Sequence, residues 1–142
     1  MALTGINAYR KGNVKQSIAT ADPHKITLML MQGALDNIAY AKGAMERREI
    51  NITGEKIARA TAILINLRDT LDLKVGGDFA SNMFALYDYM IDRLASAHTS
   101  NNIALLDEVT GLLVPIKEAW AQIPEEAKQE AYEAQKQRRE AV

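Results

Sequence analysis

The chain has 142 residues, a net charge of −1, 48% hydrophobic and 25% charged residues, and no cysteine. That size suits one domain with its own core and excludes a disordered chain. The charge balance argues against nucleic acid, which calls for a basic face, and the missing cysteines exclude disulfides and thiolate metal sites.

Residues 1–21 are polar, with Ile6, Tyr9, Val14 and Ile18 as scattered apolar anchors. They lack the continuous apolar stretch of a secretory signal, and no apolar run in the chain is long enough to span a bilayer, so the expected location is the cytoplasm. Asp22-Pro23 reads as a helix start, with Asp as N-cap and Pro in the first turn. Leu28, Met31, Leu35, Ile38 and Met45 then recur at helical spacing. A second helix is expected from a cap at Asn51 or Thr53, with Ile57, Ala60, Leu64, Leu67 and Leu71 on its inner stripe, ending at Gly76-Gly77. Asp78 is the expected cap of a third helix whose core stripe is Phe79, Met83, Leu86, Met90, Leu94 and Ala97. After a turn at Thr99–Asn102, a fourth helix carries Leu106, Val109, Leu113, Ile116, Trp120 and Ile123. Pro115 falls inside it and predicts a kink near Val109–Gly111 or a break before the proline. The tail from Pro124 reads as a solvated helix, with Tyr132 its main apolar residue and charges ordered to suit the helix dipole.

The fold class expected is all-α: an antiparallel up-and-down four-helix bundle over residues 22–123, an N-terminal cap segment over 1–21, and an extra charged C-terminal helix or tail over 124–142. Short polar turns between segments of matched length carry that expectation.

No chemistry-bearing motif emerges. His24 and His98 are the only histidines; both read as exposed helix-end residues, and neither belongs to a metal-binding pattern. Gly76-Gly77-Asp78 lacks the strand and lysine of a phosphate loop and reads as a turn. Asp88 and Asp92 stand one helical turn apart, a spacing open to an acid–base pair, but suit a solvated face beside Arg93 better. No catalytic residue, metal ligand or cofactor site is assigned. The surplus is apolar helix surface. Ile63, Ile65, Phe84, Tyr87, Ile91, Leu105, Leu112 and Val114 stand beside the core stripes, widening them beyond the arc a bundle helix buries, as do Ile26, Met29 and Leu30. These flanks either complete a thick core or form a groove for a partner's helices; Tyr87 and Tyr89 suit the wet rim of such a groove. A self-associating bundle, as a homodimer acting as a structural or regulatory adaptor, is the alternative use of the same faces.

Several stretches together resemble a known family. They are Asn7-Ala8-Tyr9, Asp22-Pro23-His24-Lys25-Ile26 leading to Met29-Leu30 and Gly33-Ala34-Leu35, and Leu71-Asp72-Leu73 with Gly76-Gly77. Asn82-Met83-Phe84-Ala85-Leu86-Tyr87-Asp88-Tyr89-Met90, Glu108-Val109 with Leu112-Leu113, and Glu118-Ala119-Trp120 follow. Their order and spacing over about residues 6 to 123 are similar to those of the flagellin-specific export chaperones, the FliS family. The resemblance implies a helical bundle of the bacterial cytosol, without enzymatic activity or cofactor. It implies binding of the disordered C-terminal segment of newly made flagellin, which prevents premature polymerisation and assists flagellar type III export. It further implies contacts with the export apparatus and flagellar regulatory proteins, and a cap formed by residues 1–21 with Ile6 and Tyr9 as anchors. Val114 and Pro115 depart from the family's ordinary helix formers.

Overall fold

A computed structural model describes residues 22–141; the expected N-terminal cap, with Ile6 and Tyr9, lies outside the described residues. The first helix, α1 (Pro23–Glu46), opens as the sequence predicts: the Asp22 carboxylate accepts the Lys25 N–H at 2.7 Å and Pro23 occupies the first turn. Its inner face buries Met31, Ala34, Ile38, Ala41, Ala44 and Met45. It ends in a Schellman turn in which Arg48, at φ 61°, takes the left-handed conformation. The Arg48 and Glu49 N–H groups donate to Met45 and Ala44 carbonyls at 3.1 and 2.9 Å.

Helix α2 (Ile50–Asp69) begins earlier than Asn51 or Thr53 would have it, with Glu49 at the N-cap. Thr53 is a buried first-turn residue whose hydroxyl donates to the Glu49 carbonyl at 2.9 Å. The helix stops at Thr70, well short of the glycine pair. Helix α3 (Leu73–Ser100) is capped by Asp72, whose carboxylate accepts the Lys74 and Val75 N–H groups at 3.1 and 3.0 Å. The break expected at the glycines falls inside this first stretch. Gly77, at φ 54° and ψ −133°, leaves helical geometry in a region open only to glycine, and a Cβ on Gly76 would sit 2.4 Å from that of Ala80. Asp78 therefore follows a break inside α3, and the observed capping bonds are those of Asp72.

Past the break, α3 buries Ala80, Tyr87, Met90, Leu94 and Ala97. This corrects the expected stripe at two places. Positions 79 and 80 both lie about one turn below Met83 in a 3.6-residue repeat; the bundle takes Ala80 and leaves Phe79 62% exposed. Tyr87, assigned to the flank, is core at 2%. Asn101 then closes α3 in a second Schellman turn at φ 50°, with the Asn102 N–H reaching the Ala97 carbonyl at 3.0 Å.

Helix α4 (Ile103–Ala121), capped by Asn102, buries Leu106, Val109 and Leu113. It runs through Pro115 without the expected break. Pro115 and Gly111 both lie on the exposed side, so water can serve the carbonyl that proline leaves without its donor. Helix α5 (Glu125–Ala141) follows Pro124 and is mostly exposed.

Helix α1 packs against α2 and α4, and α3 packs against the same two, so the four rods form a square with α1 and α3 on the diagonal. The core is continuous across all four. Arg68 to Asp88 at 2.6 Å ties α2 to α3, and Lys42 to Asp107 at 2.9 Å ties α1 to α4. Exposed pairs of this kind are worth at most about 1 kcal/mol each. No helix among the described residues is long and apolar enough to cross a membrane.

A candidate apolar groove at one end of the bundle

Antiparallel order brings the start of α1, the end of α2, the start of α3 and the end of α4 to one end of the square. A groove of about 790 Å³ opens there. Met31, Leu67 and Tyr87 form its buried floor. Leu30, Leu71, Met83, Ile116 and Trp120 line its half-buried walls, and Ile26 and Phe79 stand exposed at its rim. Leu73 and Val75, also exposed, lie just before Phe79 in the chain. Polar groups are fewer: Asn66 and Thr70 at the end of α2, Asp72 at the start of α3, and His24 and Thr27 on α1.

His24 was expected to be exposed; it is 5% exposed, because Trp120 at the end of α4 and Tyr132 midway along α5 meet over the first turn of α1. Its ring stacks on Trp120 with centroids 5.3 Å apart and a 14° interplanar angle. Its Nε2 lies 2.5 Å from the Trp120 carbonyl, and the Trp120 indole N–H donates back to the His24 carbonyl at 3.1 Å. The His24 backbone N–H donates to the Tyr132 hydroxyl at 2.8 Å, and that hydroxyl donates to Asp22 Oδ1 at 3.3 Å. Tyr132 and Ala131 thereby become groove lining. The expected solvated tail is mostly that, but Tyr132 anchors it.

Hydrogen bonding from the Lys25 amide, aided by the Tyr132 hydroxyl and the Lys128 charge, holds the Asp22 carboxyl below its ordinary value. Burial pushes the Tyr132 phenol up, and pushes that of Tyr87 up to about 12.

Of the residues expected to bind a partner, the groove takes Tyr87, as floor and not as wet rim. Ile63, Ile91, Leu105 and Leu112 are half-buried against the core, and Ile65, Phe84 and Val114 are also half-buried along the flanks. Arg68 lies over the Phe84 ring at 5.5 Å. Tyr89 is on the exposed side of α3; its hydroxyl donates to Glu108 of α4 at 2.9 Å, and Arg93 covers its ring at 4.9 Å. Among the described residues, this apolar opening therefore lies at the bundle's end. A signal for it was present in the antiparallel order itself, which sends residues near 26, 71, 79 and 120 to one place.

The groove offers chiefly apolar contact and shape. No cluster of metal-ligating side chains occurs among the described residues. Such a surface accepts apolar side chains from another segment.

A family model described as "Flagellar protein FliS" matches residues 5–127. The chain is 42% identical over 119 residues to the flagellar secretion chaperone FliSB of Pseudomonas aeruginosa, covering 84% of this chain and 94% of the relative. It is 40% identical over 121 residues to the flagellar secretion chaperone FliS of Vibrio cholerae, covering 85% and 89%. With the flagellar secretion chaperone FliS of Salmonella typhimurium it shares 38% identity over 125 residues, covering 87% and 93%.

Proposed function

Because this chain belongs to the flagellar protein FliS family, a chaperone family and not an enzyme family, we propose that it holds flagellin for flagellar export. Its client is the C-terminal segment of newly made flagellin, kept from polymerising until it reaches the type III export machinery in the bacterial cytosol. The observation that carries this reading is the open apolar groove of about 790 Å³, with Phe79 exposed at its rim. A client helix places apolar side chains there, and the rest of the segment follows the half-buried flanks: Ile63 and Ile65 on α2, Phe84 and Ile91 on α3, and Leu105, Leu112 and Val114 on α4. Tyr87 meets it from the groove floor and Tyr89 from the surface of α3. Ordering a flexible client consumes part of the contact energy, which keeps a large interface releasable.

Residues 1–21 join α1 at Asp22, beside the groove-lining Pro23 and His24. A cap anchored by Ile6 and Tyr9 therefore needs no long connection to cover the groove before a client displaces it. Calorimetric titration with a flagellin C-terminal peptide tests the assignment. Micromolar or tighter binding is expected, and its absence overturns the reading. Light scattering on the same samples should show a complex of one chaperone with one client; a stable dimer indifferent to flagellin points instead to a self-associating adaptor.

A further inference from the structure

Helix α5 has 17 residues and most of its side chains are exposed, so it gains little of the tertiary packing that stabilises most protein helices. The Tyr132 hydroxyl fastens it to the bundle, with the Lys128 charge also acting on Asp22. That hydroxyl receives the His24 N–H at 2.8 Å and gives its proton to Asp22 Oδ1 at 3.3 Å. Both partners belong to the first turn of α1. The same tyrosine and the neighbouring Ala131 line the groove together with Trp120, whose indole bonds the His24 carbonyl. One side chain thus both secures α5 and shapes the opening.

We propose that Tyr132 is a positioning residue that holds α5 as a movable wall of the groove, so that filling the groove and docking α5 favour each other. The groove stays open with α5 docked, so an occupant touches Ala131 and Tyr132 only in the docked state. That differential contact is what couples the two events, and linkage makes the coupling equal in both directions. The inference rests on reading the groove as a binding site and on no particular client.

The test compares the full chain with its Tyr132→Phe variant, which keeps the ring and removes both hydroxyl bonds. Two probes are used: anilinonaphthalene sulfonate, a small aromatic anion, and a flagellin C-terminal peptide. Hydrogen–deuterium exchange over residues 125–141 reads docking of α5, and the emission of Trp120, the chain's single tryptophan, reads occupancy. In the unaltered chain, saturating either probe should slow exchange in α5. Tyr132→Phe should speed exchange without probe and weaken probe binding about 3- to 10-fold, the effect of one or two lost hydrogen bonds. Tyr40→Phe, on α1 beside Lys56 and away from the groove, should change neither. Equal binding by Tyr132→Phe with α5 exchange unaltered by probe overturns the proposal. Binding of neither probe overturns it too, since no open groove is then left to wall. If the sulfonate binds and protects α5 while the peptide does not bind, the movable wall stands and the flagellin assignment falls.

Discussion

At the scale of single residues, Tyr87 and Tyr89 show how two phenols in one sequence run acquire different characters. Tyr89 keeps a charged environment at the surface, and its proton is held chiefly by the hydrogen bond to Glu108. Tyr87 stands two residues, or about 200°, away on the helix, and burial alone lifts it to about 12. A phenol that ionises less readily in the folded state than in the unfolded one stabilises the fold fully below the unfolded value near 10. That contribution is lost as the pH rises from there through about 12. Thermal melts taken between those limits should therefore fall for the unaltered chain and fall less for Tyr87→Phe, which has no proton to lose. Identical slopes would show that the ring does not stay buried. Neither burial was legible in the residue's type. Both helix faces are apolar around position 87, and only packing against α2 and α4 decides which tyrosine turns inward. His24 is a similar case: it looked like an exposed end residue because its partners, Trp120 and Tyr132, stand 96 and 108 positions along the chain.

At the scale of elements, the strongly periodic stretches were legible and their junctions less so. Asp22-Pro23 began α1 where capping chemistry put it. Ile57, Ala60, Leu64 and Leu67 of α2 and Leu106, Val109 and Leu113 of α4 are buried as their spacing named, whereas Leu71 and Ile123 fall past the helix ends and Ile116 and Trp120 are half-buried. Junctions depend on which of several competent caps wins. Asp72 captured two amide donors and started α3 six residues before Asp78, turning an expected stop at the glycines into a break within the helix. The junction after α1 has a cost that no composition rule reveals: Arg48 holds φ 61°, a conformation that crowds its Cβ against the backbone. Arg48→Gly removes that crowding at the expense of a more flexible unfolded chain, for a net gain of about 0.5–1 kcal/mol. For a chain of this length a calorimetric melting midpoint about 2–4 °C higher is expected. An unchanged or lower midpoint would mean that the arginine side chain stabilises the turn by more than its backbone conformation costs.

On the scale of the whole molecule, stability and binding draw on different apolar residues. The core runs through Leu94 and Leu106 at the centre of the square, fully shielded. The groove lies at one end, where the rods run out of neighbours and Phe79 is left in water. Sequence periodicity registers both as surplus hydrophobic stripe, which is why the flanks and not the end of the bundle drew attention: a repeat of 3.6 residues reports the direction of a side chain around its helix and not its height along the bundle. The two roles separate under substitution. Phe79→Ser deletes a ring with few packing neighbours, so stability should stay within about 0.5 kcal/mol of the starting value. Burial of that ring under a client is worth about 1.5–3 kcal/mol when complete, so its loss should weaken flagellin-peptide binding about 10-fold or more. Leu94→Ala does the reverse. It opens a cavity that costs about 2–5 kcal/mol of stability, yet at temperatures where the bundle remains folded it leaves the groove lining intact and peptide affinity within about threefold. Denaturant melts and calorimetric titrations on the two variants give four numbers. A Phe79→Ser chain that binds as well as the original would move the client off the end of the bundle and onto the half-buried flanks of α2, α3 and α4.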